Sequence, residues 1–253
     1  MLFENLLDKA RKHLEIIESR NINHKNTLVV IGEMHYLPRA QCELLRALIS
    51  FKKSGLKLVG REASKIISVT PHVNLKKAAN DEIYMRKLLE KKINAVKIFS
   101  GAYPDVAIEP TDDSFLRELS EVIDGRFFEL FQLKQKRGWE NMTADEKIQY
   151  EYWFTLLRNI LLRDRSDFMV RNLHDKRLYS DARFAILVCG AGHTPFREEY
   201  GPYSVLKMLR ALPVNYIIAI VPSAFIILNK RQPFDFYTPA DKSEVGPYYP
   251  HVK

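Results

Sequence analysis

Three short runs of this chain are apolar and rich in β-branched residues almost without a break, and this pattern restricts the fold more than any other feature. They are Thr27-Leu-Val-Val-Ile31, Arg183-Phe-Ala-Ile-Leu-Val-Cys189, and Asn215 to Val221. None shows the polar–apolar alternation of a strand with one wet face. Strands of this kind are covered on both sides, as in a parallel sheet between two helical layers. The intervening segments have helical period: residues 2–19, with Leu2, Leu6, Leu7, Ala10, Leu14 and Ile17 on one face, then Pro38 to Phe51, Asn80 or Asp81 to Phe99, and 114–136.

Two weaker strands fit between them, Leu56 to Val59 (ending near Arg61-Glu62) and Asp105 to Ile108, and Ala224 to Leu228 reads as a hairpin partner for the last strand. Strands alternating with helices predict an α/β fold with a mostly parallel central sheet flanked by helices. Thr143 and Glu146 form a capping box that opens a long helix toward His174. The helices from about 114 to 175 therefore interrupt the alternation, as a helical insert over the strand ends. Residues 1–230 read as a single domain, and the proline-bearing stretch 231–253 as an extended tail.

A chain of 253 residues can bury a core without disulfide staples, and its two cysteines suggest neither a disulfide framework nor a zinc cluster. Cys189, inside an apolar run, reads as a small buried hydrophobe. The net charge of +8 is dispersed in pairs such as Lys52–Lys53, Lys76–Lys77 and Lys91–Lys92, without a nucleic-acid-binding motif, so nucleic acid is not the expected partner. The longest apolar stretch, Tyr216 to Leu228, is broken by Pro222 and Ser223 and falls short of the roughly 20 residues of a membrane span. The first residues mix acids with bases and lack a secretory leader's apolar core. The expectation is a cytoplasmic protein, with secretion by a route that needs no signal peptide left open.

In parallel α/β sheets ligands bind beyond the carboxyl ends of the strands. Here those ends carry Gly32-Glu33-Met34-His35, Arg61-Glu62, Glu109-Pro110-Thr111-Asp112-Asp113 and Gly190-Ala191-Gly192-His193-Thr194-Pro195. Taken singly, each has a plainer structural reading: a hydrogen-bonding histidine, a surface pair of Arg61 with Glu62, Asp112 and Asp113 as helix caps. Together, carboxylates and imidazoles at four strand ends suit acid–base or metal-assisted chemistry. Gly32 is expected to turn the backbone sharply, and Gly190 and Gly192 to admit a ligand close to it. Along Leu161-Leu-Arg-Asp-Arg-Ser-Asp-Phe-Met169, apolar residues pin one side to the core, so Arg165 is placed either to hold a carboxylate or an oxyanion in the cleft or to serve in an ion pair. No Gly-x-Ser-x-Gly elbow and no His-Glu-x-x-His is present.

The ordered set of an apolar strand leading to Gly-Glu-Met-His, a second strand ending in Glu62, Arg-Asp-Arg-Ser-Asp-Phe-Met on a helix and a strand closing on Gly-Ala-Gly-His-Thr-Pro resembles the erythromycin esterase/ChaN-like superfamily over roughly residues 27 to 222. That group includes the TraB and Tiki proteases, the ChaN haem-binding proteins and the Tiki-like domains of bacterial toxins. Glu33 departs from the plain Gly-x-x-His of the Tiki proteases and is closer to the esterase and toxin branches. The chain shows neither the toxins' membrane-targeting helices nor the export signal of a surface haem binder.

The resemblance implies a hydrolase cleaving an amide (peptide) or ester bond, with Glu33, His35, Glu62, His193 and Arg165 as catalytic residues and Tyr36, Glu109 and Arg61 around the substrate. Glu33 or Glu62 would take a proton from water, His193 or His35 would protonate the leaving group, and Arg165 would stabilise the oxyanion. Alternatively Glu33, His35, Glu62 and His193 would hold a divalent ion (Mn, Co or Zn). Two rival readings stand beside the hydrolase: haem ligated by His35 or Tyr36, as in the ChaN proteins, and a non-enzymatic interaction protein using the 114–175 helices.

Overall fold

In the computed structural model, residues 2–63 and 73–232 are described. The elements run α1 (Leu2–Arg11), β1 (Glu15–Arg20), β2 (Thr27–Glu33), α2 (Pro38–Lys52), β3 (Leu58–Arg61), α3 (Leu75–Asn80), α4 (Glu82–Glu90), α5 (Ala95–Ala102), β4 (Ala107–Pro110), α6 (Ser114–Arg137), α7 (Ala144–Leu156), a π-helical segment Leu157–Asp164, α8 (Arg165–Tyr179), β5 (Phe184–Gly190), α9 (Leu206–Ala211), β6 (Asn215–Ile220) and α10 (Pro222–Lys230). The six strands form one sheet in the order β1-β6-β2-β5-β3-β4, parallel throughout except for β1, which pairs antiparallel with β6. No helix among the described residues is long and apolar enough to cross a membrane.

The central strands alternate between two apolar layers. Val29, Ile31, Val59, Ile186 and Val188 face a layer closed by α1, α2, α4, α5 and α10. Leu28, Val30, Leu58, Leu187 and Ile218 face one closed by Met169, Val170 and Leu173 of α8 and Leu206 and Leu209 of α9. Every residue of β2 and β6 is buried, as their unbroken apolar sequence requires. The capping box of Thr143 and Glu146 is formed, and α6 and α7 pack together around Phe127, Tyr150 and Phe154.

Several expectations need correction. The N-terminal helix stops at Arg11, because Glu15–Arg20 pairs with β6 as an edge strand that bulges between Ile16 and Glu18. Residues 224–228 are helical: Val221 N–H bonds Gly32 O at the strand end, and Pro222 then supplies the fixed φ of a first helical turn. The helix expected up to Phe99 is split, with Lys92 in the left-handed region and Asn94 capping α5. The third expected strand lies two residues later, at Ala107–Pro110. The tail expected from 231 lies, past residue 232, outside the described residues.

Gly32 does not make a turn; it sits within β2, in register with Cys189 and Ile220. Its role is close approach: a Cβ there would fall 2.8 Å from Thr194 Cγ2 and 3.1 Å from Ala191 Cα. Thr194 cannot easily yield, since its hydroxyl bonds Ala191 O at 2.7 Å. Gly32→Ala is expected to cost about 1–3 kcal/mol in urea unfolding, the usual range for an overpacked core. Wild-type stability in that variant would contradict the close packing of β2 on residues 191–194.

Candidate functional site

Beyond the carboxyl ends of β2, β3 and β5 lies a cavity of about 390 Å³. Glu33 and His35 reach it from β2 and the turn after it, Arg61 and Glu62 from β3, and Arg165 from α8. Asn94 at the cap of α5, Val96 within it, Val188 of β5, Leu161 of the π segment, and Arg117, Ser120, Glu121 and Asp124 of α6 complete the wall.

The cluster is built around one buried cation. Arg165 donates through Nη2 to Glu62 Oε1 at 2.6 Å, and through Nε and Nη2 to the two Asp112 oxygens at 3.2 and 2.5 Å. The other Glu62 oxygen accepts the Gly190 N–H at 2.6 Å, and His193 Nε2 lies 3.4 Å from Oε1. Burial alone would raise the Glu62 pKa; the charges of His193 and Arg165, with hydrogen bonds from His193 and His35, instead hold it well below the usual carboxylate value. Burial opposes the charge on Arg165, yet Glu62 and Asp112 raise its pKa above the ordinary guanidine value. The preceding π segment has a wider turn than an α-helix, and from it Arg165 and Ser166 emerge on the buried side, 7% and 0% exposed.

A second pair sits beside the first. Glu33 is buried, with one oxygen bonded to His35 Nδ1 and the other to Gln41 Nε2. Gln41 is itself fixed by Met34 O at 3.1 Å and by the Ala95 N–H at 3.0 Å. The His35 ring opens to the cavity, 53% exposed, with Nε2 3.7 Å from Glu62 Oε2. Its pKa is raised well above that of free histidine, first by the Glu33 charge; desolvation opposes this, and hydrogen bonds to Glu33 and Glu62 reinforce it.

Four of the expected catalytic residues, Glu33, His35, Glu62 and Arg165, therefore line one cavity, as does Arg61. His193 stands apart from that wall. It is buried behind Glu62, with Nδ1 2.8 Å from Ser166 Oγ, so it braces Glu62 and does not face a substrate. Ser166 completes a Ser–His–Glu row but is sealed in the core, which removes it as a nucleophile. Arg165 is spent on two carboxylates and is not free to clamp an oxyanion. Tyr36 packs on the core and Glu109 bonds Lys176 at 2.8 Å; neither lines the cavity. Asp113 caps α6 as expected, whereas Asp112 turns inward to Arg165. The residues missed from sequence were Asp112, Ser166, Gln41 and the α6 wall. Gly190 makes room for the site rather than for a ligand at the backbone: a Cβ there would lie 3.3 Å from Glu62 Oε2 and 3.7 Å from His35 Nε2.

The arrangement does not fit a metal ion. Among the described residues no three His, Cys, Asp or Glu side chains are grouped as ligands. The oxygens of Glu62 and Glu33 already accept N–H donors, and Glu62 is shared with the Arg165 guanidinium. Haem fits no better, since its macrocycle needs apolar faces and only Val96, Leu161 and Val188 of this wall are apolar.

Comparisons with family models, with curated proteins and with solved structures give no match for this chain.

Removing the central cation tests the account of the cluster. A pKa held below its unfolded value contributes stability that is present above the ordinary carboxylate range and lost as pH falls through the depressed value. Arg165→Met leaves buried carboxylates uncompensated, so it is expected to cost about 3–5 kcal/mol at neutral pH, with the deficit shrinking in acid as Glu62 protonates. Urea unfolding across pH measures both, and a deficit that is small or constant with pH would contradict the pairing.

Proposed function

We propose that this chain is a hydrolase of an amide (peptide) or ester bond, of the kind implied by its resemblance to the erythromycin esterase/ChaN-like superfamily, and that it works through the Glu33–His35 pair. The observation that carries the reading is a histidine, buried on one side against a carboxylate and open on the other to a polar cavity, beside a second carboxylate locked in ionised form.

Glu33 accepts the Nδ1–H of His35, which fixes the ring and makes Nε2 the proton-accepting edge on the cavity side. A water within reach of Nε2 and Glu62 Oε2 loses a proton to the imidazole as its oxygen attacks the substrate carbonyl. The imidazolium then returns that proton to the leaving nitrogen or oxygen as the carbon–heteroatom bond breaks, so the histidine ends unchanged. Glu62 is a weak base, because its proton affinity is depressed and both oxygens already accept hydrogen bonds; its part is to orient the water and favour the imidazolium. The α6 wall and Leu161 bound the space above the pair and limit what can enter. Fold and pocket alone do not name the substrate further than an amide or ester.

Turnover of peptide and activated-ester panels tests this reading. His35→Ala is expected to lose at least about a hundredfold in kcat/KM, the usual contribution of a positioned acid–base group, while unfolding like the wild type. The wild-type kcat/KM should rise with pH through the raised pKa of His35, above the ordinary histidine value, because the base must be neutral. Equal turnover in His35→Ala, or a panel that the folded wild type leaves untouched, would end the reading. A kcat/KM that falls through that pKa would make His35 the acid and reassign the base.

A further inference from the structure

The cavity wall carries four carboxylates, Glu33, Glu62, Glu121 and Asp124, and four basic side chains, His35, Arg61, Arg117 and Arg165, and they are not paired evenly. Arg165 is consumed by Glu62 and Asp112, and His35 by Glu33. Arg117 bonds Glu121 at 3.3 Å along α6, with Asp124 one turn further on. Arg61 is left over. Its side chain lines the cavity, while its Nε is closed off from solvent without a hydrogen-bond partner among the described residues. Burial, and then the like charge of Arg117, pull its pKa down from the ordinary guanidine value, so the protein surrounds this cation with repulsion and desolvation. A partly desolvated guanidinium without an ion pair among the described residues is costly unless an anion in the pocket meets its outer edge.

Its position relative to the proposed reacting edge is set by the sheet. His35 follows β2 and Arg61 ends β3, with β5 between them. Two inter-strand steps place their backbones roughly 10 Å apart. Arg61 stands level with Val188, on the α6 side, away from the Glu33–His35 pair.

We propose that Arg61, assisted by Arg117, is a carboxylate-binding subsite, so that the preferred substrate carries a carboxylate a few bonds beyond the bond that is cut. The substrate class rests on the hydrolase reading; the anion site does not. A planar carboxylate suits the outer edge of a guanidinium, taking two parallel N–H donors, and would give Arg61 the ion pair that none of the described residues supplies. Arg117, on the neighbouring helix, would supply the second cation by exchanging part of its contact with Glu121.

Titration calorimetry with glutarate, glutaramide and inorganic phosphate tests the site without turnover. Glutarate is expected to bind saturably, phosphate and the neutral diamide at least about tenfold more weakly, and Arg61→Gln to lose about tenfold or more, with Arg61→Lys recovering part of it. Arg117→Gln should show a smaller loss. Thermal unfolding of each variant confirms that it is folded. Should Arg61→Gln unfold, Arg61→Lys carries the test, because loss of the fork geometry alone should weaken glutarate binding. No saturable glutarate binding, binding indifferent to Arg61, or phosphate bound as tightly would overturn the proposal.

The nitrophenyl monoester of glutarate and the nitrophenyl ester of pentanoate separate the two readings. A lower KM for the anionic ester, with the preference collapsing in Arg61→Gln, supports both. Turnover without preference removes the subsite and leaves the hydrolase. Arg61-dependent glutarate binding with neither these esters nor the peptide panel cleaved removes the hydrolase and leaves the subsite.

Discussion

The guanidinium of Arg165, buried between Glu62 and Asp112, is the contact on which the site depends. It ties α8 to the end of β3 and to the loop after β4. Charges taken out of water are stable only where their partners are fixed, so this one cation imposes positions on three separate stretches of chain. The constraint spreads further: Glu62, once placed, accepts the Gly190 N–H at the end of β5 and leans on His193, which in turn meets Ser166 beside Arg165. The loop of contacts returns to the helix where it began.

Two carboxylates a short distance apart thus acquire different tasks from their partners. Glu62 is surrounded by donors and cations and stays ionised; it anchors. Glu33 is placed by Gln41 and turned toward a single histidine, whose other face meets open space. In the proposed mechanism proton exchange belongs to the second pair, whose imidazole opens to the cavity. Glycines at 32 and 190 permit this density, one letting residues 191–194 pack on β2, the other leaving room for Glu62 and His35.

The sheet was legible because burial on both faces leaves an unambiguous mark: Thr27–Ile31, Phe184–Cys189 and Asn215–Val221 are buried throughout, and they are three adjacent strands in the interior of the sheet. The edges were less legible. Glu15–Arg20 is an edge strand whose Ile17 also satisfies the helical period of the residues before it, and 222–230 is an apolar helix whose proline looked like a strand break. At the site, strand ends pointed to Glu33, His35 and Glu62, since placement at a sheet edge follows from topology. What each would touch did not follow. Asp112 and Asp113 are adjacent and alike in sequence, yet one caps a helix and the other pairs with Arg165, a choice made by a helix 53 residues away. His193 looked equivalent to His35 and lies behind Glu62, because residues 191–193 form a tight 3-10 turn against β2.

The central claim is that Glu33 and His35 form a coupled pair whose imidazole is charged well above the ordinary histidine range while facing the cavity. Histidine ring protons followed by NMR from pH 5 to 10, in wild type and Glu33→Gln, measure this directly. The account predicts that His35 titrates well above about 6.5 in the wild type and falls toward that value when the Glu33 charge is removed. A His35 resonance that titrates at the ordinary value, unmoved by Glu33→Gln, would contradict it.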